Sequence, residues 1–348
     1  MPLPTALSAA PLTAALLLTA STLSAQATGA TPLTEAALIS KIQHTVDSLA
    51  RADQFSGVIM LAKQGTPVFQ HAWGMADREA HRPNTIETAF NLGSINKVFT
   101  ATAIRQLVAA RQLELDSVLA KYWPEYPNRD VASQITIQQL LNHRSGIGGN
   151  IFDAPPGGTR HDVRHNRDYL PLFVNEPLQF APGTRQAYSN AGYVVLGLLV
   201  ERLSGQDYYA YVDQHIYQPA GMTHTAAYPA DSLPPNTAIG YTRGEEDAPP
   251  DAPLRRNTDL LPGRGSSAGG GYSTAGDLAR FLQALREKKI PGGPPPGIGA
   301  AGGTVGVNAV MEGGLPGGYD LIVLTNLDPP AAEKVARLVR GWLGSGAD

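Results

Sequence analysis

Asn91-Leu92-Gly93-Ser94-Ile95-Asn96-Lys97-Val98 is the stretch on which the reading of the fold turns. It reads as the entry to a helix. Gly93 supplies a flexible turn, Ser94 stands at the first exposed position, and Val98, Phe99, Ala103, Ile104, Leu107 and Val108 recur at helical spacing. Three residues apart, the Ser94 hydroxyl and the Lys97 amine share one helical face. Serine becomes a nucleophile when a neighbour takes its proton, and a lysine whose charge is disfavoured by burial can do so. The start of a helix also offers backbone N–H groups and a positive dipole end to a developing oxyanion. The same four residues describe a serine N-cap with a solvated lysine one turn on, and the sequence alone does not bury Lys97.

Working outward, 348 residues with 43% hydrophobic side chains can bury a large core in one big domain or two subdomains. The net charge of −3 offers no basic stripe for phosphates, so a nucleic-acid partner is not expected. With no cysteine there is no disulfide framework, no thiolate nucleophile and no Cys-based zinc site. Residues 1–27 carry no charged side chain. They include the apolar run Ala14-Ala15-Leu16-Leu17-Leu18 and end in Ala25-Gln26-Ala27, a small-residue cleavage pattern, although the usual positive n-region is missing. The expectation is a signal peptide over 1–27 and a secreted or periplasmic protein. The apolar run is short for a bilayer, and no later segment reads as transmembrane.

Upstream of Ser94, Thr34 can cap a helix whose apolar face is Leu38, Ile39, Ile42, Val46 and Leu49. Gly57–Ala62 and Val68–Trp73 read as two strands of a hairpin turned by Lys63-Gln64-Gly65-Thr66, the first apolar enough to be central in a sheet. Downstream the pattern becomes short helical segments between Pro/Gly-rich loops: Leu113–Leu119, Ile135–Leu141, and a clear helix from Asn190 that stops at Gly205. Strand character returns at Thr304–Val310 and Tyr319–Thr325. Asp328-Pro329-Pro330 then starts a last helix with Ala332, Val335, Ala336, Val339 and Leu343 on one face. The expected fold is α+β: an antiparallel sheet flanked by N- and C-terminal helices, with an inserted, mostly helical subdomain. The corresponding organisation is one domain over 28–348, its α/β part 28–105 and 265–348, its helical part 106–264.

A second reactive group is Tyr188-Ser189-Asn190. A phenol can pass a proton between nucleophile and leaving group if a nearby cation lowers its pKa, and Asn190 offers a donor and an acceptor to a lysine or a substrate amide. Taken alone, the triplet also describes a buried tyrosine followed by an asparagine N-cap.

Ser94-Ile95-Asn96-Lys97 followed by Tyr188-Ser189-Asn190 resembles the S-x-x-K and Y-x-N motifs of the serine β-lactamase and penicillin-binding-protein superfamily. The likeness is to its class C-like branch, which includes D-alanyl-D-alanine carboxypeptidases and esterases. Leu140-Leu141-Asn142-His143-Arg144-Ser145-Gly146 and Gly269–Leu278 support it, and the similarity runs from about Gly57 to the last helix. The resemblance implies a β-lactamase-like fold and acyl transfer without metal or cofactor. Ser94 would attack a carbonyl, Lys97 and Tyr188 would move protons, and Asn190 would hold network and substrate. The N–H groups of Ser94 and Gly303 would form the oxyanion hole. Water would then hydrolyse the acyl-enzyme.

The chain departs from that pattern at the third motif, where the family carries Lys-Thr-Gly or His-x-Gly on a strand edging the site. Ala300 occupies the position of the cationic or imidazole side chain. Its absence favours carboxyl esters or D-amino-acid amides and peptides over β-lactams, whose hydrolysis would be weak. The segment Lys288–Gly297 is also short, as though one or two family strands were missing. The alternative is a catalytically impaired relative that binds cell-wall peptides without turnover. His161 and His165 lack the glutamate of a zinc helix. His143 supports a loop, Gly265-Ser266-Ser267 lacks a phosphate-loop lysine, and Glu245, Glu246 and Asp247 form a solvated loop.

Overall fold

A computed structural model describes residues 33–244, 249 and 252–344. The stretch read as a signal peptide and the acidic triplet Glu245–Asp247 lie outside the described residues. Helix α1, Glu35–Arg51, is capped by Thr34, whose Oγ1 accepts from the Ala37 N–H at 3.2 Å. It buries Leu38, Ile42 and Val46.

The sheet has five strands: β1 Gly57–Lys63, β2 Thr66–Trp73, β3 Gly299–Thr304, β4 Val307–Leu315 and β5 Tyr319–Thr325. Their order is β2-β1-β5-β4-β3, antiparallel throughout. Met60 stands opposite Ile322 and Ile322 opposite Met311. Because successive side chains point to opposite faces, the apolar run of β1 divides between two cores. Ile59 and Leu61 meet Leu321, Val323 and Val310 under α1 and the last helix, α6, Ala331–Gly344. Val58 and Met60 join Met311, Ile322 and Leu324 beneath the helical lobe. The sheet therefore has helices on both faces, and the architecture is α+β.

On the lobe side, α2 (Asn96–Ala109) and α4 (Asn190–Ser204) pack together, with α3 (Ile137–Leu141) and α5 (Ala275–Arg286) beside them. Packed against α4, α2 is buried on nearly every side, including Thr100 and Thr102, while Val98 and Val108 are only partly buried. The Thr100 hydroxyl is satisfied at 2.6 Å by both the Tyr208 hydroxyl and the Ser267 carbonyl.

Two expectations change, and the short segment before the last three strands is as expected. Leu113–Leu119 is not helical, and a short helix covers only Leu119–Tyr122. The segment instead lies along the entry to α3, where the N–H groups of Leu119, Ile137 and Gln138 bond to Ile135 O, Ser117 O and Leu115 O. Thr304–Val310 is not one strand. Thr304 ends β3 and Val307 starts β4, with Gly306 in the turn at φ 67°, its N–H held by Asp328 Oδ1 at 2.6 Å. Finally, the short 288–298 segment is a loop from α5 into β3 and contains no strand. The three C-terminal strands still form an unbroken meander, and β3 is the outermost strand of this sheet.

Asn308 ties that outer strand to α6. Fully buried, its Nδ2 donates to Gly302 O at 3.2 Å and its Oδ1 accepts from the Ala332 and Glu333 N–H groups at 2.6 and 3.4 Å. It thus does for α6 what an N-cap does, from a different strand. Asn308→Ala leaves these groups without partners and should destabilise the fold by about 1–3 kcal/mol. Urea unfolding reads this directly, and an unchanged midpoint would show that the bridge carries no stability.

Candidate active site

Ser94 sits in the 3₁₀ turn Gly93–Ile95 that leads into α2. This turn is pressed against the outer strand. A Cβ on Gly302 would lie 2.1 Å from Leu92 O and 2.5 Å from Ser94 N, and one on Gly93 would lie 2.8 Å from Gly303 N. Gly93 has φ 50° as well. Only a glycine-lined contact lets the strand backbone run this close to the nucleophile. Gly303 lines the cleft with Ser94, whereas a side chain on it would point away, toward Pro329. Its backbone therefore reaches the site without any contribution from side-chain identity.

Lys97 follows on the first turn of α2 and is only 7% exposed. Its Nζ lies 3.0 Å from Ser94 Oγ, 2.7 Å from Asn190 Oδ1 and 2.5 Å from Ala268 O. Burial lowers its pKa from the ordinary 10.5 to about 7. A neutral amine has two protons and one lone pair. Those protons satisfy Asn190 and Ala268, leaving the lone pair for the Ser94 hydroxyl.

From the other side, Tyr188 donates its O–H to Ser94 Oγ at 2.5 Å. The residue is 59% exposed, with the Lys97 Nζ 4.7 Å from the ring centroid. Partial burial raises the phenol pKa. The condition of a cation lowering the phenol pKa is not met, since the neighbouring amine is itself driven toward its neutral form. The phenol is thus kept as a proton donor. Asn190 opens α4 but does not cap it. Ser189 is the cap, its Oγ accepting from the Gly192 N–H at 3.0 Å, which leaves Asn190 for the amine.

The structure brings Ser94, Lys97, Tyr188 and Asn190 into one hydrogen-bonded chain and places Gly303 on the wall beside them. It keeps the short Ala300 methyl out of the cleft lining, partly buried against the lobe-side core and opposite Met311, on the face of β3 that Gly302 turns toward the Ser94 turn. Arg264 is the basic residue that lines the cleft, and its guanidinium stacks 3.6 Å over Tyr209 while Nε donates to Ala227 O. Gly265–Ser267 and Gly269–Leu278 drew notice in the sequence but not as site residues, yet the turn Gly265–Gly270 forms a wall of the cleft and supplies the Ala268 carbonyl. Its signal was the run of small residues, which permits close backbone approach. Among the described residues no group of His, Asp or Glu could hold a metal ion, and no helix is long and apolar enough to cross a membrane.

Counting the space open to solvent, the cleft spans about 630 Å³. Beyond the glycines its lining is largely apolar, with Ile151, Phe152, Tyr228, Ala230, Leu261 and Tyr272.

Comparison with known proteins places these features in a family context. The family described as Beta-lactamase matches residues 42–334. Esterase EstB of Burkholderia gladioli is 32% identical over 336 residues, covering 86% of this chain and 83% of its own. Penicillin-binding protein 4* of Bacillus subtilis is 30% identical over 256 residues, covering 70% of this chain but only 55% of its own. A penicillin-binding protein from Bacillus halodurans superposes with a TM-score of 0.73 at 29% identity, over 86% of this chain and 98% of that one. The D-amino acid amidase of Ochrobactrum anthropi superposes at 0.74 with 23% identity, over 88% and 98%, a likeness of fold alone.

With the amine as base, acylation should rise with pH through about 7 as Lys97 loses its proton. The linked stability has a definite sign. Between about 7 and 10.5 the unfolded chain holds a proton that the folded chain lacks, so stability rises with pH across that window. A rate profile that stays flat between about pH 6 and 8 would remove Lys97 from the role of base.

Proposed function

The chain belongs to the β-lactamase family, and on that premise we propose that it is a serine hydrolase of carboxyl esters, working through an acyl-Ser94 intermediate. One observation carries the reading: the Ser94 hydroxyl lies between a buried amine at 3.0 Å and a phenol at 2.5 Å. Ser94 Oγ attacks the ester carbonyl and its proton passes to the Lys97 lone pair. The carbonyl oxygen, now negative, is held by the Ser94 N–H at the head of α2 and the Gly303 N–H on β3. As the tetrahedral adduct collapses, the Tyr188 O–H protonates the departing alkoxide, and the proton held by Lys97 restores the phenol. The products are acyl-serine and free alcohol. Water, deprotonated by the same groups, then releases the acid.

The substrate class follows from the lining. An apolar cleft of this size favours uncharged acyl and alcohol groups of modest length. With Ala300 at the third-motif position, nothing there compensates the desolvation of a substrate carboxylate, which weighs against β-lactams and peptidoglycan stems. The relative named an esterase supports the same direction. Export belongs to this proposal on the strength of the sequence of residues 1–27.

Hydrolysis of p-nitrophenyl butyrate, with fluorophosphonate labelling in parallel, tests the reading. Wild type should be labelled and turn over the ester, and Ser94→Ala should abolish both. A folded wild type that is neither labelled nor active would instead mark a binding protein that has lost the chemistry. Ala300→His should raise turnover of an anionic chromogenic cephalosporin relative to the ester. If the ratio does not move, Ala300 is not what sets the preference.

A further inference from the structure

His143 belongs to the Leu140–Gly146 motif, and nothing in the acyl-transfer steps uses it. It follows α3 in the left-handed conformation, φ 55°, unusual for a residue with a side chain. This turn directs both its carbonyl and its ring toward the segment that carries the phenol. His143 O accepts from the Ala187 N–H at 2.9 Å, and His143 Nδ1 accepts from the Ser189 N–H at 3.2 Å. The two bonds bracket Tyr188. The imidazole also lies against the Tyr188 ring, with centroids 4.6 Å apart and planes 32° apart. On Tyr193 the separation is 5.0 Å at the same angle, and Tyr193 is itself fixed by its hydroxyl on Leu141 O at 3.0 Å.

An exposed tyrosine ordinarily samples several side-chain rotamers. Tyr188 must hold its oxygen 2.5 Å from Ser94 Oγ. Its polar end is engaged there, and the half-buried imidazole is the ring packed against its own. We propose that His143 is the positioning residue for Tyr188. By gripping the backbone on both sides and stacking on the ring, it holds the phenol in line with the serine. Burial and the nearby Lys97 lower the imidazole pKa, which keeps Nδ1 an acceptor. The inference rests on the acyl-transfer reading, because it assigns His143 an effect only through Tyr188.

A double-substitution cycle separates this role from plain loop support. His143→Ala should lower kcat for p-nitrophenyl butyrate by about ten- to a hundred-fold with KM moved far less, as small misplacements of reacting groups do. His143→Asn, whose amide oxygen falls near the place of Nδ1, should recover part of that loss. In a Tyr188→Phe background, His143→Ala should cost almost nothing more. If His143→Ala fails to fold, His143→Gln, with its oxygen one methylene too far out, takes its place in the cycle. Losses that multiply in the double variant, or an Asn variant no better than Ala, overturn the proposal. Wild type that takes no fluorophosphonate label overturns the acyl-transfer reading with it. Labelled wild type with multiplying losses overturns this inference alone.

Discussion

A lysine amine held out of water is the constraint on which this molecule depends. Lys97 is on the first turn of α2, and its three neighbours come from three separate parts of the chain. Ser94 is in the turn before that helix, Asn190 at the head of α4, and Ala268 in the glycine-rich turn that precedes α5. Burying an ammonium without full compensation is costly, so the group is driven toward its neutral form. Neutrality is also what a base for a serine hydroxyl requires. The packing that makes the site and the chemistry the site can perform therefore share one cause.

The surrounding fold can be understood as what brings those three parts together. The sheet presents the edge of β3 to the Ser94 turn, and glycine at 93 and 302 lets the two backbones nearly touch. Asn308 locks that strand to α6 from behind. The lobe contributes α4, capped by Ser189 so that Asn190 stays available, and the loop through His143 that steadies Tyr188. These contacts run through backbone or polar side chains, while the cleft above Ser94 stays largely apolar.

Much of this was legible in the sequence, for reasons that can be named. Ser94, Lys97, Tyr188 and Asn190 carry side chains whose types and spacing suggest their chemistry. The hairpin of β1 and β2 and the stop of α4 at Gly205 follow from apolar runs and turn residues. The burial of Lys97 was not legible, because it is created by α4 and the Ala268 turn, both distant in sequence. Nor was Ala268, since a backbone carbonyl leaves no mark on residue identity. Leu113–Leu119 misleads because its leucines fit helical spacing while its backbone bonds go to the α3 entry instead. Thr304–Val310 misleads because β-branched residues on both sides of Gly306 conceal a tight turn. Whether a cation lowers the Tyr188 pKa was not legible either, because the sequence places a lysine nearby without showing that it is buried.

The most direct test of the central claim is the titration of Lys97 itself, read from the Cε resonance of ¹³C-lysine-labelled protein and assigned by its loss in Lys97→Met. Lys97 is predicted to have a midpoint of about 7, set apart from the ordinary lysine range of about 10 to 11. If every lysine, Lys97 included, titrates in that upper range, the amine is charged in the resting protein and cannot be the base that activates Ser94.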